Sequence, residues 1–144
     1  MSSEQQKKLR VLILEDNEDD FEMVIRQLKR GGYQVDAIRV ESESSFRKAL
    51  QDEKIDLILC DYLLPAFNAE SALQIFRQEN IDVPFIVLSG VIGEETAVKM
   101  IKAGAHDYLL KDKLTRLNSA VERELRAAEV RRELRTLKSQ AQGG

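Results

Sequence analysis

The sequence has few of the features that mark secreted and membrane proteins. Cys60 is the only cysteine among 144 residues, so no internal disulfide can form and nothing points to secretion. No apolar run approaches the ~20 residues that a membrane-spanning helix needs, and residues 1–10 lack the apolar region of a signal peptide. Cys60 lies within an apolar run, so we expect a small buried side chain there. These absences predict a cytoplasmic protein without membrane contact.

Charges of both signs are abundant but unevenly distributed. Charged residues make up 33% of the chain and hydrophobic residues 43%, which suits a globular domain that needs no disulfide. Residues 1–114 contain 15 Lys or Arg and 21 Asp or Glu, whereas residues 115–144 contain seven and four. The acidic body argues against sequence-independent nucleic-acid binding, and the mixed signs of the C-terminal segment favour a solvated helix. We therefore expect no direct contact with nucleic acid.

Five short apolar runs alternate with helical patterns along the chain. Such runs are typical of strands buried on both faces, and the alternation predicts right-handed crossovers in a parallel sheet with helices on both sides. The predicted fold class is α/β, doubly wound, with five strands and an extended C-terminal helix. Residues 1–8 are polar and predicted to be disordered, a folded domain is predicted over residues 9–125, and residues 126–144 are predicted to form a helical extension with a frayed end.

The third predicted strand ends at the strongest candidate for a functional residue. Residues 55–60 are Ile-Asp-Leu-Ile-Leu-Cys, Asp61 follows where the strand should end, and Pro65 prevents simple continuation. Open α/β sheets bind ligands beyond the carboxyl ends of their strands. Asp61 is therefore placed where such a sheet holds its ligand.

Polar residues also follow three other predicted strands. Glu15-Asp16 follow the first strand, Ser89 the fourth and Lys111 the fifth. In a parallel sheet these groups converge with Asp61. Clustered carboxylates either raise one another's pKa or hold a cation, and a small number of hard oxygen ligands suits Mg²⁺. With Lys111 and the Ser89 hydroxyl able to bind phosphoryl oxygens, a carboxylate could attack phosphorus and form an aspartyl phosphate.

From about residue 9 to residue 125 the sequence resembles the receiver domain of two-component response regulators. The matching segments are residues 11–16 (VLILED), Asp61 with Pro65, residues 88–90 (LSG) and residues 104–111 (GAHDYLLK). The resemblance implies a flavodoxin-like sheet of order 2-1-3-4-5 and a phosphorylation-dependent signalling switch. It implies that Asp61 is phosphorylated by a sensor histidine kinase or a phosphotransfer protein. It also implies that the chain catalyses only its own phosphorylation and dephosphorylation.

The resemblance further implies a magnesium site beside the phosphoacceptor. Mg²⁺ would be held by Asp16, by Asp61 and by the backbone carbonyl of Leu63. Glu15 would act largely through water. Mg²⁺ is the only cofactor that the resemblance implies.

Three more residues receive roles from the resemblance. Ser89 and Lys111 would contact the phosphoryl oxygens. The Ser89 hydroxyl and the Tyr108 ring would move on phosphorylation and reshape the surface formed by the fourth helix, the fifth strand and the fifth helix. A downstream protein partner would bind that surface or the long helix.

Two departures from the family pattern and two alternative functions accompany this interpretation. Asp112 follows Lys111 where many receivers have a proline, and Asn68-Ala69 occupies a turn where glycine often follows an acidic residue. One alternative is a pseudo-receiver, an interaction module that is never phosphorylated. The other is a Mg²⁺-dependent phosphohydrolase with an aspartate nucleophile. Enzymes that resemble the haloacid dehalogenase group have a second aspartate two residues after the nucleophile, and this chain has Leu63 there.

The C-terminal segment is predicted to be one long helix with two different faces. The first face, expected to pack on the domain, consists of Leu114, Leu117, Val121 and Leu125. The second face has the alternating three- and four-residue spacing of a heptad repeat and consists of Ala127, Val130, Leu134, Leu137 and Ala141. A solvated helix and a homodimer formed through the helix both fit this pattern. His106, the only histidine, is expected to be a surface residue in the turn before the fifth strand.

Overall fold

Strands and helices alternate throughout the computed structural model, which describes residues 7–52, 54–91 and 93–143. The strands are β1 (Lys7–Leu14), β2 (Tyr33–Val40), β3 (Leu57–Asp61), β4 (Phe85–Ser89) and β5 (Asp107–Leu110). The helices are α1 (Glu18–Arg30), α2 (Glu43–Asp52), α3 (Ala69–Gln78), α4 (Glu94–Lys102) and α5 (Leu117–Gly143). A 3₁₀ segment, Lys111–Arg116, joins β5 to α5.

The five strands form one parallel sheet in the order β2-β1-β3-β4-β5. This order confirms the predicted doubly wound, flavodoxin-like fold. Alternate residues of β1 and β3 enter two separate cores: Leu12 and Ile58 pack toward α2 and α3, whereas Ile13 and Leu59 pack toward α1 and α5. Both faces of the central strands are therefore buried, which explains why their sequences are continuously apolar.

The first strand begins earlier than its sequence suggests. Lys7 and Lys8 belong to β1, although they fall inside the segment 1–8 that was predicted to be disordered; residues 1–6 lie outside the described part of the chain. Their side chains are charged and exposed, so the sequence shows no apolar strand pattern there. Residues 7–14 nevertheless pair throughout with β2. Backbone pairing with an edge strand does not require apolar side chains.

Two asparagines begin the helices that flank the sheet's carboxyl edge. The side chain of Asn17 accepts a hydrogen bond from the Asp20 N–H at the start of α1. The side chain of Asn68 likewise accepts one from the Ser71 N–H at the start of α3. Asparagine satisfies N–H groups that a helix start otherwise leaves without a partner, so Asn68 suits the turn in which it replaces the family's usual residues.

The last helix is one continuous element of 27 residues. It starts at Leu117, because Lys113 has non-helical dihedral angles and residues 111–116 form the 3₁₀ segment. Its first turns are buried, including Leu117 and Val121, whereas the side chains after Ala128 are mostly exposed. Among the described helices, none has the length together with the apolar composition needed to cross a bilayer.

Candidate functional site

The predicted site residues lie at the carboxyl edge of the sheet. Glu15 and Asp16 follow β1, Asp61 is the last residue of β3, Ser89 is the last residue of β4, and Lys111 follows β5. Parallel pairing brings these strand ends together although the residues are as many as 96 positions apart. The fold thus gathers the side chains that the sequence singled out.

Asp61 is buried, and its two carboxylate oxygens have different partners. Only 7% of the residue is exposed. Oδ1 accepts a hydrogen bond from the Leu63 N–H at 3.1 Å. Oδ2 lies 3.1 Å from Lys111 Nζ. The turn after β3 therefore fixes one oxygen by the backbone, while the other faces the ammonium group.

Lys111 contacts three carboxylates. Its Nζ lies 2.7 Å from a Glu15 oxygen, 2.8 Å from an Asp20 oxygen and 3.1 Å from an Asp61 oxygen. Burial of the ammonium lowers its pKa, but the hydrogen bonds with Asp20 and Glu15 and the charge of Asp61 outweigh burial, so the pKa of Lys111 is raised. Lys111 is therefore a permanent cation at the centre of the acidic cluster.

Glu15 is the most buried of these carboxylates. It is 2% exposed, and its Oε2 accepts a hydrogen bond from the Asn17 N–H at 3.2 Å. Burial raises the pKa of Glu15 from 4.5 to about 7, with a further increase from the charge of Asp61. Hydrogen bonds from Lys111 and Asn17 oppose this rise without cancelling it. One ammonium does not neutralise the carboxylates that surround it.

The carboxylates of Glu15, Asp16 and Asp61 form a group that fits a hard metal ion. Each offers one oxygen, and these oxygens all lie within 4.8 Å of one another. Glu15 and Asp61 are buried while Asp16 is exposed, so the group is open to solvent on one side. Oxygen ligands in small number, with one open side and excess negative charge, suit Mg²⁺ with retained water.

The Ser89 hydroxyl is at this edge but points into its own loop. Ser89 is fully buried. Its Oγ donates to the Val91 carbonyl and accepts from the Val91 N–H, both at 3.2 Å. To bind a phosphoryl oxygen, Ser89 would exchange these local hydrogen bonds for the new one. The sequence predicted its position at the edge, but it could not predict this loop-bound orientation.

Tyr108 packs beside the residue that follows Asp61. Its ring meets that of Tyr62 edge to face, with centroids 6.3 Å apart. The Tyr108 hydroxyl is buried and has no hydrogen-bond partner among the residues that the structure describes. A buried hydroxyl without a partner is costly, so this ring can gain a hydrogen bond by moving.

Sequence reasoning missed Asp20 and the partial burial of His106. Asp20 was not among the predicted site residues, but its side chain contacts Lys111. An acidic residue in the first turn of a helix gave no signal of that contact. His106 lies in the turn before β5, as predicted, but its ring is partly buried, and its Nδ1 accepts a hydrogen bond from the Phe85 N–H at 3.0 Å. Burial and the charge of Arg131 lower its pKa. The His106 ring therefore binds the backbone at the start of β4.

The sheet order and the residues at its carboxyl edge together define the structural class of the protein. A parallel sheet of order 2-1-3-4-5 with carboxylates beyond its central strands defines a flavodoxin-like α/β domain, and open sheets of this class bind ligands beyond the carboxyl ends of their strands. The family described as "Response regulator receiver domain" matches residues 11–122. The chain belongs to this family, which confirms the resemblance seen in the sequence.

Two relatives are transcriptional regulators of greater length. The phosphate regulon transcriptional regulatory protein PhoB of Pseudomonas aeruginosa is 31% identical over 103 residues, which cover 70% of this chain and 44% of the relative. The alkaline phosphatase synthesis transcriptional regulatory protein PhoP of Bacillus subtilis is 30% identical over 122 residues, covering 84% and 50%. The chain thus spans half or less of the length of these relatives.

Two solved structures share the fold. NtrX from Brucella abortus superposes with a TM-score of 0.78 at 26% identity, covering 89% of this chain and 29% of that one. A response regulator from Burkholderia pseudomallei, solved with a phosphorylated aspartic acid, a calcium ion and citrate, gives a TM-score of 0.68 at 25% identity, covering 88% and 74%. The phosphorylated aspartic acid is a property of that protein.

Proposed function

We propose that the chain is a phosphorylation-controlled switch in which Asp61 accepts a phosphoryl group in a Mg²⁺-dependent reaction. The observation that carries this proposal is the convergence of Glu15, Asp16 and Asp61 within 4.8 Å, with Lys111 Nζ 3.1 Å from an Asp61 oxygen. A phosphoryl-transfer site needs an oxygen nucleophile, a place for a divalent cation and a group that neutralises phosphoryl oxygens. The residues at this edge supply all three.

In the proposed reaction an oxygen of the Asp61 carboxylate attacks phosphorus. A P–O bond forms to Asp61 as the bond from phosphorus to the donor breaks, and the electron pair of that bond leaves with the donor. The donor in the cell would be a phosphohistidine of a sensor histidine kinase or of a phosphotransfer protein. Hydrolysis of the aspartyl phosphate by water would return the carboxylate and release inorganic phosphate.

Lys111 and Ser89 would bind the phosphoryl oxygens during and after transfer. Lys111 already contacts Asp61 and is a permanent cation, so it would pair with the added negative charge. Ser89 would release Val91 and donate its hydroxyl proton to a phosphoryl oxygen. The Val91 backbone would then need new partners, which couples phosphoryl binding to the shape of the loop between β4 and α4.

Mg²⁺ is the cofactor that fits the acidic group. Asp16, Asp61 and the Leu63 carbonyl would hold the ion, with Glu15 acting largely through water. Bound there, the ion would neutralise charge on the attacking carboxylate and on the phosphoryl oxygens. The excess of carboxylate over ammonium in this cluster is the reason to expect a cation.

Output would pass through the surface formed by α4, β5 and α5. Phosphorylation adds about two negative charges and would shift an existing equilibrium between two arrangements of this surface. Ser89 and Tyr108 would mark the two arrangements, Ser89 by leaving Val91 and Tyr108 by placing its unsatisfied hydroxyl against a new partner. A downstream protein would bind one arrangement more tightly than the other.

The test is the intact mass of the protein after incubation with acetyl phosphate and MgCl₂. We expect wild type to gain one phosphoryl group, with no gain after EDTA treatment or in Asp61→Asn. Asp19→Asn is the matched control, because Asp19 is an exposed carboxylate near the same edge. Gain in Asp61→Asn equal to that of wild type would refute Asp61 as the acceptor. No gain in wild type, beside a receiver that reacts, would favour the pseudo-receiver.

A further inference from the structure

The second half of α5 is fixed to the amino edge of the sheet by one aspartate. Asp82 lies in the loop before β4, and its carboxylate pairs with Arg131 at 3.0 Å and with Arg135 at 2.6 Å. Arg132 Nη1 also donates a hydrogen bond to the Asp82 carbonyl at 3.1 Å. We call these contacts the Asp82 clamp. They hold α5 against the domain ten residues beyond Leu125, where the domain face was predicted to end.

The clamp and the buried Val121 and Ala128 together determine which side of α5 faces solvent. Three apolar residues in this part of the helix are unusually exposed: Val130 by 49%, Leu134 by 60% and Leu137 by 55%. At 3.6 residues per turn, their side of the helix lies about 140° around the axis from the three arginines. These residues therefore cannot pack on their own domain while the clamp holds. They form a solvent-facing row, here called the α5 stripe.

The charges beside the α5 stripe favour a second copy of this chain in parallel orientation. With Leu134 at an a position and Leu137 at a d position, Glu133 takes a g position and Lys138 the following e position. A parallel pair of helices places Glu133 of one chain beside Lys138 of the other. A parallel pair also brings Arg126 near Arg131, but Arg126 is paired with Glu122 and Arg131 with Asp82.

We propose that the α5 stripe is the contact surface of a parallel homodimer, with the Asp82 clamp holding each helix in the orientation that exposes it. The stripe spans about two heptads, so the interface falls below the ~1,200 Å² that stable complexes bury. We therefore expect a dimer that forms and dissociates with protein concentration. Dimerisation does not require phosphorylation of Asp61, and it concerns a different part of the chain.

The first experiment is sedimentation equilibrium of the unphosphorylated full chain from roughly 5 μM to 1 mM, a range that covers weak interfaces. We expect wild type to move from monomer to dimer within it. Leu134→Glu should raise the dissociation constant at least about tenfold, because each copy loses a buried apolar side chain and gains a charge in the interface. Ser139→Glu, exposed and about 170° around the helix from the stripe, should stay within about twofold of wild type.

Three results of that experiment would overturn the proposal. They are a wild type that stays monomeric throughout the range, a trimer in place of a dimer, and a Leu134→Glu variant that dimerises as wild type does. Circular dichroism shows whether each variant keeps its helix content. The phosphoryl gain from acetyl phosphate should be the same in all of them, so a failed dimer leaves the Asp61 proposal standing and the reverse also holds.

A charge exchange tests the parallel orientation. Glu133→Lys and Lys138→Glu should each weaken the dimer by about threefold, because each places like charges together at both symmetric positions. The double variant restores opposite charges and should return the dissociation constant to within about twofold of wild type. A double variant weaker than either single one would overturn the parallel arrangement.

Discussion

At the carboxyl edge of the sheet three carboxylates contact one ammonium group, whereas at the amino edge three arginines contact one aspartate. Lys111 pairs with Glu15, Asp20 and Asp61. At the opposite edge the Asp82 carboxylate pairs with two guanidinium groups, and a third donates to its carbonyl. Both clusters consist of carboxylates and cationic side chains. Carboxylates are in excess at the carboxyl edge, and guanidinium groups are in excess at the amino edge.

The proportions determine what each cluster does to its carboxylates. At the carboxyl edge, burial and repulsion raise the pKa of Glu15 to about 7. At the amino edge, burial also acts to raise the pKa of Asp82, but hydrogen bonds from Arg135 and Arg131 outweigh it and the pKa is lowered. Excess negative charge is unfavourable until a cation enters, and it suits a binding site. The charge of a carboxylate between two guanidinium groups is already neutralised, and such a group suits an anchor.

The largest effect is expected from removing the ammonium group that three carboxylates share at the carboxyl edge. Lys111→Met leaves Glu15, Asp20 and Asp61 without their shared partner, and we expect the free energy of unfolding to fall by about 3 kcal/mol in urea titrations near neutral pH. Added MgCl₂ should recover part of the loss, since the ion would supply positive charge. The control is Lys113→Met, which removes an exposed lysine two residues away. Equal losses in the two variants would contradict a central role for Lys111.

A smaller effect of opposite sign is expected from removing one of the carboxylates. The pKa of Glu15 is about 7 in the folded chain and 4.5 in the unfolded reference, so the folded state is favoured by protonation. Its contribution to stability is complete below about pH 4.5 and declines as the pH rises toward 7. Glu15→Gln should therefore be more stable than wild type by about 2 kcal/mol at pH 8 in EDTA.

The pH dependence distinguishes this explanation from a general packing effect. The gain from Glu15→Gln should shrink toward zero near pH 5, because the glutamate of wild type is then protonated in the folded state. Urea titrations at the two pH values measure the difference, with Glu18→Gln as the control for an exposed glutamate. A gain that is equal at both values would show that the charge of Glu15 is not its source.

The carboxyl edge could be predicted from sequence far better than the amino edge. Parallel strands bring their ends together, so finding the strands was enough to place Glu15, Asp16, Asp61 and Lys111 at one edge. The direction of the Ser89 hydroxyl could not be predicted, because it depends on hydrogen bonds within one loop.

Side-chain contacts between residues far apart in the sequence could not be predicted either. Asp20 looked like an ordinary acidic residue in the first turn of a helix, where such residues interact favourably with the helix dipole. Its pairing with Lys111 depends on how α1 lies beside the 3₁₀ segment that follows β5. The Asp82 clamp joins residues about 50 positions apart, and it depends on the direction that α5 takes across the sheet. Neither leaves a periodic signal.

The smallest effect is expected at the amino edge, where the carboxylate is partly solvated. The Asp82 side chain is 24% exposed and its arginine partners more so, so Asp82→Asn should cost about 1 kcal/mol near neutral pH, and less in high salt. Because the pKa of Asp82 is lowered on folding, its contribution is present above about pH 3.8 and is lost as the pH falls through the folded value.

Urea titrations at low and high salt measure this cost, and hydrogen exchange locates it. We expect Asp82→Asn to speed amide exchange in α5 after Ala128 and to leave the buried first turns around Val121 unchanged, because only the later turns depend on the clamp. Asp112→Asn, which removes an exposed carboxylate at the other edge, is the matched control. Exchange that stays as slow in Asp82→Asn as in wild type would mean that the helix holds its position without the clamp. The orientation of the α5 stripe would then need another cause.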